Sequence, residues 1–381
     1  MKLLLAPNAF KDSLSAREAC EAMRRGALRV FPDALIKVLP VADGGDGTLA
    51  ALCATENRLQ FDVADPLHRI RKAEIGLMRN ADAVEHRPDR GITCIIEIAQ
   101  ASGLALLHSE ERNPWLTSSR GSGELIHHAL ELGANHILIG LGGSATNDCG
   151  AGLLAALGAI FLNRNNQPVQ PTGGNLDSIH KIDLSGLNKR LTSVSLTGLC
   201  DVDNPLTGSY GASHIYASQK GADKEMIKKL DGNVQHFATL LQESTGRSFM
   251  ETPGAGAAGG IGAAILALGG NLQPGFAAIA NLLGLEGEIK NADLVLTGEG
   301  KTDNQTESGK APAGVIALAK QLGKPAILIS GSIPLTHREI PVFSTSHGPE
   351  SLESALQNAG AALESTTARV LQAVALGMQL K

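Results

Sequence analysis

The sequence predicts an α/β protein, with a parallel sheet built from the two ends of the chain and a second α/β domain inserted between them. Three observations predict it. Short apolar runs alternate with helical patterns at both ends, as strands and crossover helices of a parallel sheet do. The 381 residues exceed the size at which one hydrophobic core stops growing. From about residue 61 to 100, charged alternating segments point instead to antiparallel hairpins.

The elements follow in order. KLLLAP (2–7) is a short apolar run and reads as a buried strand. Ser15-Ala-Arg-Glu18 has capping-box spacing, so a helix opens there and runs toward Arg29. LIKVLPVA (35–42) is the next strand, and a helix follows from Asp46. RIRKAEIGLM and GITCIIEIA are the hairpin strands. A helix over about 121–132 is closed by Gly133, and the strand HILIG leads into a glycine-rich loop and another helix. SVSLTGLCDVDNPL (193–206) and ASHIYASQKGA (212–222) read as strand–loop pieces. Asp223 to Thr245 is a long amphipathic helix whose stripe, Met226, Ile227, Leu230, Val234, Phe237, Leu240 and Leu241, is core. ADLVLTGEG (292–300), KPAILISGS (324–332) and IPVFSTSHG (340–348) are strands, with a helix from Ala311 to Leu322 and a final helix after them. The expected division is 1–62 plus 285–381 for the outer domain and 63–284 for the insert.

Composition excludes several classes. Charged residues make up 19%, the net charge is −5 and the pI is near 6.1, which disfavours nucleic acid. Two Tyr, one Trp and eight Phe leave few base-stacking platforms. The five cysteines are widely spaced with no C-x-x-C pair, so reduced cytosolic thiols are expected rather than zinc or disulfides. The apolar run in MKLLLAPNAF is too short for a signal peptide, and no stretch approaches the ~18 apolar residues of a membrane span. A cytoplasmic protein is expected, with self-association left open.

The chemistry is carried by loops. Residues 140–152 read GLGGSATNDCGAG, directly after HILI. Gly140-Leu-Gly142-Gly-Ser-Ala145 follows a strand and is expected to open a helix, as a dinucleotide fingerprint would. That fingerprint also wants an acidic residue about 20 positions on, and no Asp or Glu lies between Cys149 and Asn175. Gly254-Ala-Gly256-Ala-Ala-Gly259 also fits the spelling, but it follows Pro253, and a tightly packed small-residue helix explains it equally well. No G-x-x-x-x-G-K-[ST] P-loop or protein-kinase signature is present. If the chain handles a nucleotide, the backbone N–H groups of Gly142, Gly143 and Ser144 would hold its anionic oxygens.

Carboxylates gather where strands end: Asp43 and Asp46, Asp201 and Asp203, Glu299 and Asp303, and Asp148 beside Asn147. Each alone is more often a turn or helix cap. Four such loops at strand ends fit the place where open α/β sheets bind ligands, and a magnesium–nucleotide site needs only one or two carboxylates plus phosphates. Lys11, Arg120, Lys220 and Lys310 are loop cations able to clamp a phosphoryl group or a small carboxylate, with a solvated-surface reading weighing about evenly for each lysine. His127, His128 and His136 receive no role.

PNAFKDSLSA, PVADGGDGT, TSSRGSGELI, GLGGSATNDCGAG, CDVDNPL, QKGA, PGAGAAGG and TGEGKTDNQTESGK together resemble the bacterial type-I glycerate kinases, in order from residue 7 to 310. The resemblance implies Mg²⁺- and ATP-dependent phosphorylation of D-glycerate, with 2-phosphoglycerate the favoured product. It also implies a flavodoxin-like domain carrying an inserted α/β domain, with the active site in the interdomain cleft. Position and residue chemistry then suggest Asp201, at a strand end beside Pro205, as base, Lys11 and Arg120 as clamps on the glycerate carboxylate or the migrating phosphoryl, and Asp43, Glu299 or Asp303 for Mg²⁺. Gly142, Gly143, Ser144, Thr146, Asn147, Asp148, Gly256 and Gly259 would bind ATP. The chain departs from the family pattern at three positions. Asp46 stands where Glu is usual, and Lys301 where Arg is common. Cys149 stands where Gly is common, which makes positive φ there unexpected. A nicotinamide-dependent oxidoreductase and a non-catalytic small-anion sensor are the alternatives.

Overall fold

A computed structural model describes residues 1–45, 47–79, 91–302, 311–333 and 341–380. Along the chain run β1 (Lys2–Leu5), α1 (Ala16–Val30), β2 (Leu35–Val38), α2 (Thr48–Leu52), β3 (Arg58–Ala64), β4 (Ile70–Arg79) and β5 (Ile92–Glu97). Then come α3 (Ala99–Ser102), α4 (Arg120–Glu131), β6 (Ala134–Gly140), α5 (Ala151–Ala156), β7 (Ile160–Leu162), β8 (Lys181–Asp183) and β9 (Ser195–Leu199). α6 (Ala212–Tyr216), α7 (Lys224–Thr245), α8 (Ala257–Ala267), β10 (Asn271–Gln273), α9 (Gly275–Leu282) and α10 (Leu285–Asn291) follow. The chain closes with β11 (Leu294–Lys301), α11 (Ala311–Gln321), β12 (Ala326–Ser332), β13 (Val342–Ser344), α12 (Leu352–Gln357) and α13 (Ala359–Gln379). It divides into two compact units, one of Met1–Asp43, Ala50–Ala54 and Phe276–Lys381, the other of Gly44–Leu49 and Thr55–Gly275.

In the first unit the sheet order is β13-β12-β11-β1-β2, and every pairing is parallel. Numbered within the unit this is 2-1-3-4-5, the flavodoxin-like doubly wound order, in which β1 and β11 flank the point where the winding reverses. The period-2 geometry of strands sorts its apolar residues onto two faces. Leu3, Leu5 and Leu296 pack with Met23, Leu363 and Leu371 of α1 and α13, while Leu4 and Val295 pack with Leu285, Ile289 and Val315 of α10 and α11. The capping box is formed as its spacing predicts, with Ser15 Oγ accepting from Glu18 N and Glu18 Oε2 accepting from Ser15 N at 2.8 Å.

The second unit carries a sheet of order β10-β9-β6-β5-β4-β3, antiparallel at β3–β4 and β4–β5 and parallel from β5 onward. Its core joins Ile75, Cys94, Ile96, Ile137 and Ile139 of the sheet to Leu125, Phe237 and Ile261 of the covering helices. The stripe of α7 is core as predicted at Leu230, Val234, Phe237 and Leu241, and Asp223 caps the helix by accepting from Met226 N.

Four local readings change. Residues 212–222 form α6 and a 3₁₀ turn (Ser218–Lys220), not strand–loop pieces. The loop after β6 does not open a helix at Ala145, because α5 begins at Ala151 behind the left-handed Gly150. α8 is not one smooth small-residue helix, since Ala258, Gly259 and Gly260 take φ of 56°, 69° and 94°. Cys149 takes φ 54° despite its Cβ, held there by a bond from its N–H to Gly259 O at 3.0 Å.

Candidate functional site

β6 ends at Gly140, and residues 141–150 form a loop whose shape is imposed from behind. Gly140 and Gly142 lack side chains because Gly44 and Gly45 pack on them. A Cβ on Gly140 would stand 2.6 Å from Gly44 O, and one on Gly142 3.1 Å from Gly45 Cα. Gly143 takes φ 70°, a conformation that costs glycine nothing. Ala145 is gripped from both ends, its N–H donating to Ser102 O at 2.8 Å and its carbonyl accepting from Thr117 Oγ1 at 3.1 Å. Asp148 is fully buried and accepts four hydrogen bonds, from Ser119 N and Oγ at 2.8 Å each, Gly150 N at 3.2 Å and Gly152 N at 3.1 Å. Burial pushes its carboxyl pKa up, and the four donors act against that shift. Asp148 is thus the knot between this loop and the start of α4, not a group turned to solvent.

What the loop leaves open is a row of donors. Among the described residues the N–H groups of Gly142, Gly143 and Ser144 donate to no acceptor, and Gly143 is exposed. Buried N–H groups are nearly always paired, so an unpaired row at a strand end, with glycines that admit close approach, suits anionic oxygens. Two side-chain oxygens of the same loop, Thr146 Oγ1 and Asn147 Oδ1, are buried without a partner, while Asn147 Nδ2 donates to Ser213 Oγ at 2.9 Å.

Lys220 completes the surroundings of the loop. It is 2% exposed, and its Nζ donates to Ser144 Oγ at 2.8 Å and Thr146 O at 2.7 Å. Burial lowers its pKa to about 7, against the pull of Asp148. The sequence placed Lys220 among surface-or-clamp lysines; only the fold shows it to be buried. The polar run Thr117-Ser118-Ser119 was likewise overlooked as support, although its position beside the glycines of TSSRGSGEL was a usable signal.

The other expected residues fall as follows. Gly256 and Gly259 are buried behind the loop: Gly256 spends its N–H on Asn204 O at 3.1 Å, and a Cβ on Gly259 would stand 1.9 Å from Thr146 O. They support the loop from behind: Gly256 spends its N–H, and Thr146 occupies the place a Gly259 side chain would take. Asp201 lies just past β9, exposed, with Oδ1 accepting from Gly275 N at the start of α9 at 2.8 Å. Arg120, the first residue of α4, donates through Nε to Glu124 Oε1 at 3.0 Å and lines a cavity of about 460 Å³ with Asp62, His68, Glu124 and His128. That pairing counts against its use as a substrate clamp.

In the first unit the strand ends carry a second group. Glu299, at the end of β11, is 7% exposed and accepts from Thr302 Oγ1 at 2.8 Å. Asp43 follows β2. Lys11 is exposed on the loop after β1, and a Cβ on Gly300 would stand 2.9 Å from Lys11 N. The loops of Lys11 and Glu299, after β1 and β11, flank the winding reversal, where doubly wound sheets bind ligands, and that of Asp43 follows the next strand, β2. Asp303, Asp46 and Lys310 lie outside the described residues. Among the described residues no three His, Cys, Asp or Glu cluster as a metal cage would require.

The glycerate kinase family matches residues 3–375. The chain belongs to that family. It is 43% identical to glycerate kinase of Bacillus subtilis over 99% of this chain and 98% of that one. It is 44% identical to glycerate 2-kinase of Escherichia coli over 87% of this chain and 86% of that one. A crystal structure from Salmonella typhimurium, assigned to glycerate kinase 2, superimposes with a TM-score of 0.89 at 41% identity, covering 100% of this chain and 99% of that one. Family membership makes this chain a phosphotransferase and implies ATP as its donor. Among the described residues no helix is long and apolar enough to cross a membrane.

Proposed function

We propose that this chain transfers the γ-phosphoryl group of ATP to D-glycerate, with the 2-hydroxyl as acceptor and Mg²⁺ bound. The observation that carries the reading is the open row of N–H donors at Gly142, Gly143 and Ser144, in a chain that matches the glycerate kinase family almost end to end. The row receives the ATP phosphates through backbone dipoles, which need no reorganisation when charge moves. The nicotinamide alternative lacks an acid for the ribose, and the sensor alternative leaves the strand-end carboxylates without purpose.

Asp201 accepts the proton of the glycerate hydroxyl as that oxygen bonds to the γ-phosphorus and ADP leaves. Its contact to Gly275 N keeps the carboxylate aimed and lowers its freedom. Lys11 holds the glycerate carboxylate by charge, and its exposed position leaves room for a substrate to arrive. Hard carboxylate oxygens at Asp43 and Glu299 fit Mg²⁺, which takes one or two such ligands beside phosphates; Asp303 is the third expected ligand. When bound, the ion neutralises charge on the phosphate oxygens.

A coupled ADP-release assay with D-glycerate, L-glycerate, glycerol and no substrate, each with and without Mg²⁺, tests this. Turnover is expected with D-glycerate and Mg²⁺ together, and phosphorus NMR is expected to show 2-phosphoglycerate. Folded protein that releases no ADP with D-glycerate would overturn the reading.

A further inference from the structure

Lys220 is an uncommon use of a cation. It ends the turn after α6, and the next residue anchors that turn: Gly221 has φ 100° and a Cβ there would stand 2.0 Å from Arg112 O. The side chain is thereby buried under the loop after β6, with both bonds of its Nζ made to that loop and none to a carboxylate. Asp148 is the charged group that acts on it, through space. A methionine would fill the same volume without removing a charge from water, so packing alone does not call for a lysine. The loop has a need that the lysine meets. Lys220 Nζ supplies the donor that Ser144 Oγ and Thr146 O accept, while Thr146 Oγ1 and Asn147 Oδ1 beside them have no partner that would fix them. Groups outside the loop grip it at Ser102, Thr117, Ser119 and Lys220, and of these only Lys220 carries a charge.

We propose that Lys220 is a positioning residue for phosphoryl transfer, whose ammonium locks Ser144 and Thr146 so that the Gly142–Ser144 N–H row stays open to the ATP phosphates. This rests on the proposed function, and it adds the residue that sets the loop's shape and its charge. Incoming phosphate negative charge favours the protonated lysine, so nucleotide binding near neutral pH takes up a proton.

Lys220→Met, Ser144→Ala and the double variant test it in the full chain. Amide exchange of Ala145 and Cys149, whose N–H groups are bonded to Ser102 O and Gly259 O, needs no substrate and is read first. In Lys220→Met it is expected to rise about tenfold, with exchange in α7 unchanged. kcat/KM for ATP is expected to fall about 100-fold, with KM for glycerate moved less than about threefold. The wild-type decline of kcat/KM for ATP above neutral pH is expected to vanish in Lys220→Met. The double variant is expected to be no worse than Lys220→Met, because both remove one interaction. Loop exchange and kcat/KM for ATP within about threefold of wild type would overturn the proposal, as would a rise in exchange spread evenly over the unit. Should Lys220→Met not fold, Ser144→Ala carries the test, since it removes one of the two contacts and keeps the lysine, and a rise of about threefold in loop exchange is then expected; unchanged loop exchange there would overturn the proposal. Wild-type protein inactive on glycerate, with the loop-exchange difference intact, would overturn the function and not the lysine's hold on the loop.

Discussion

Gly259→Ala against Gly246→Ala isolates how tightly α8 backs the loop after β6. Both glycines are left-handed, with φ of 69° and 67°. Gly246 closes α7 with nothing within 4 Å of an added Cβ, whereas a Cβ on Gly259 would stand 1.9 Å from Thr146 O and 2.7 Å from Thr146 C. At Gly246 alanine meets only the left-handed backbone penalty, about 1 kcal/mol. At Gly259 the same penalty applies, and the Thr146 carbonyl must also move by about an ångström against the bond it accepts from Lys220 Nζ, adding roughly 1–3 kcal/mol. Gly259→Ala is therefore expected to destabilise the second unit by about 2–4 kcal/mol and Gly246→Ala by about 1. Urea unfolding followed by the fluorescence of Trp115, the one tryptophan, reads that unit. Equal losses in the two variants would refute the inference that Gly259 is absent a side chain because the loop occupies its place.

The remaining predictions are shorter. Lys220 has a folded pKa of about 7 against an ordinary 10.5, so between those values the unfolded chain binds a proton that the folded chain does not, and its contribution to stability rises with pH. The stability of wild type relative to Lys220→Met is expected to rise by about 2 kcal/mol from pH 7 to pH 9, read by urea unfolding at both; parallel curves would mean the amine is not depressed. Asp201→Asn keeps an acceptor for Gly275 N and loses the base, so kcat is expected to fall about 10²–10⁴-fold at unchanged melting temperature; a near-wild-type rate would remove Asp201 from the mechanism. Lys11→Ala is expected to lower kcat/KM for glycerate about 100-fold, and no change would make it a surface lysine. Arg120→Ala is expected to stay within about threefold of wild type, because its Nε already pairs with Glu124; a loss of about 100-fold would restore it as a clamp.

By itself the sequence determined the fold class and the family. Patterning at period 2 and 3.6 marks β1, β11 and β12 and the helices α1, α7 and α11, because burial of one face is written directly into which residues are apolar. The ordered motifs carried the resemblance that the family match now shows. Local spacing was also enough for the caps at Ser15 and Asp223, whose bonds span three residues. Tertiary structure decided the rest. Burial of Lys220 depends on a turn 76 residues from Ser144, and nothing local distinguishes it from an exposed lysine. Asp148 reads as a ligand in sequence, but Ser119, 29 residues away, turns it into a buried acceptor of four bonds. The left-handed Cys149 violates local preference because α8 bonds its N–H, and Gly256 and Gly259 face other backbone and not a phosphate. Contacts between residues far apart in the chain set orientation and burial, and those two quantities separate a loop group left open to a ligand from one spent on holding the loop.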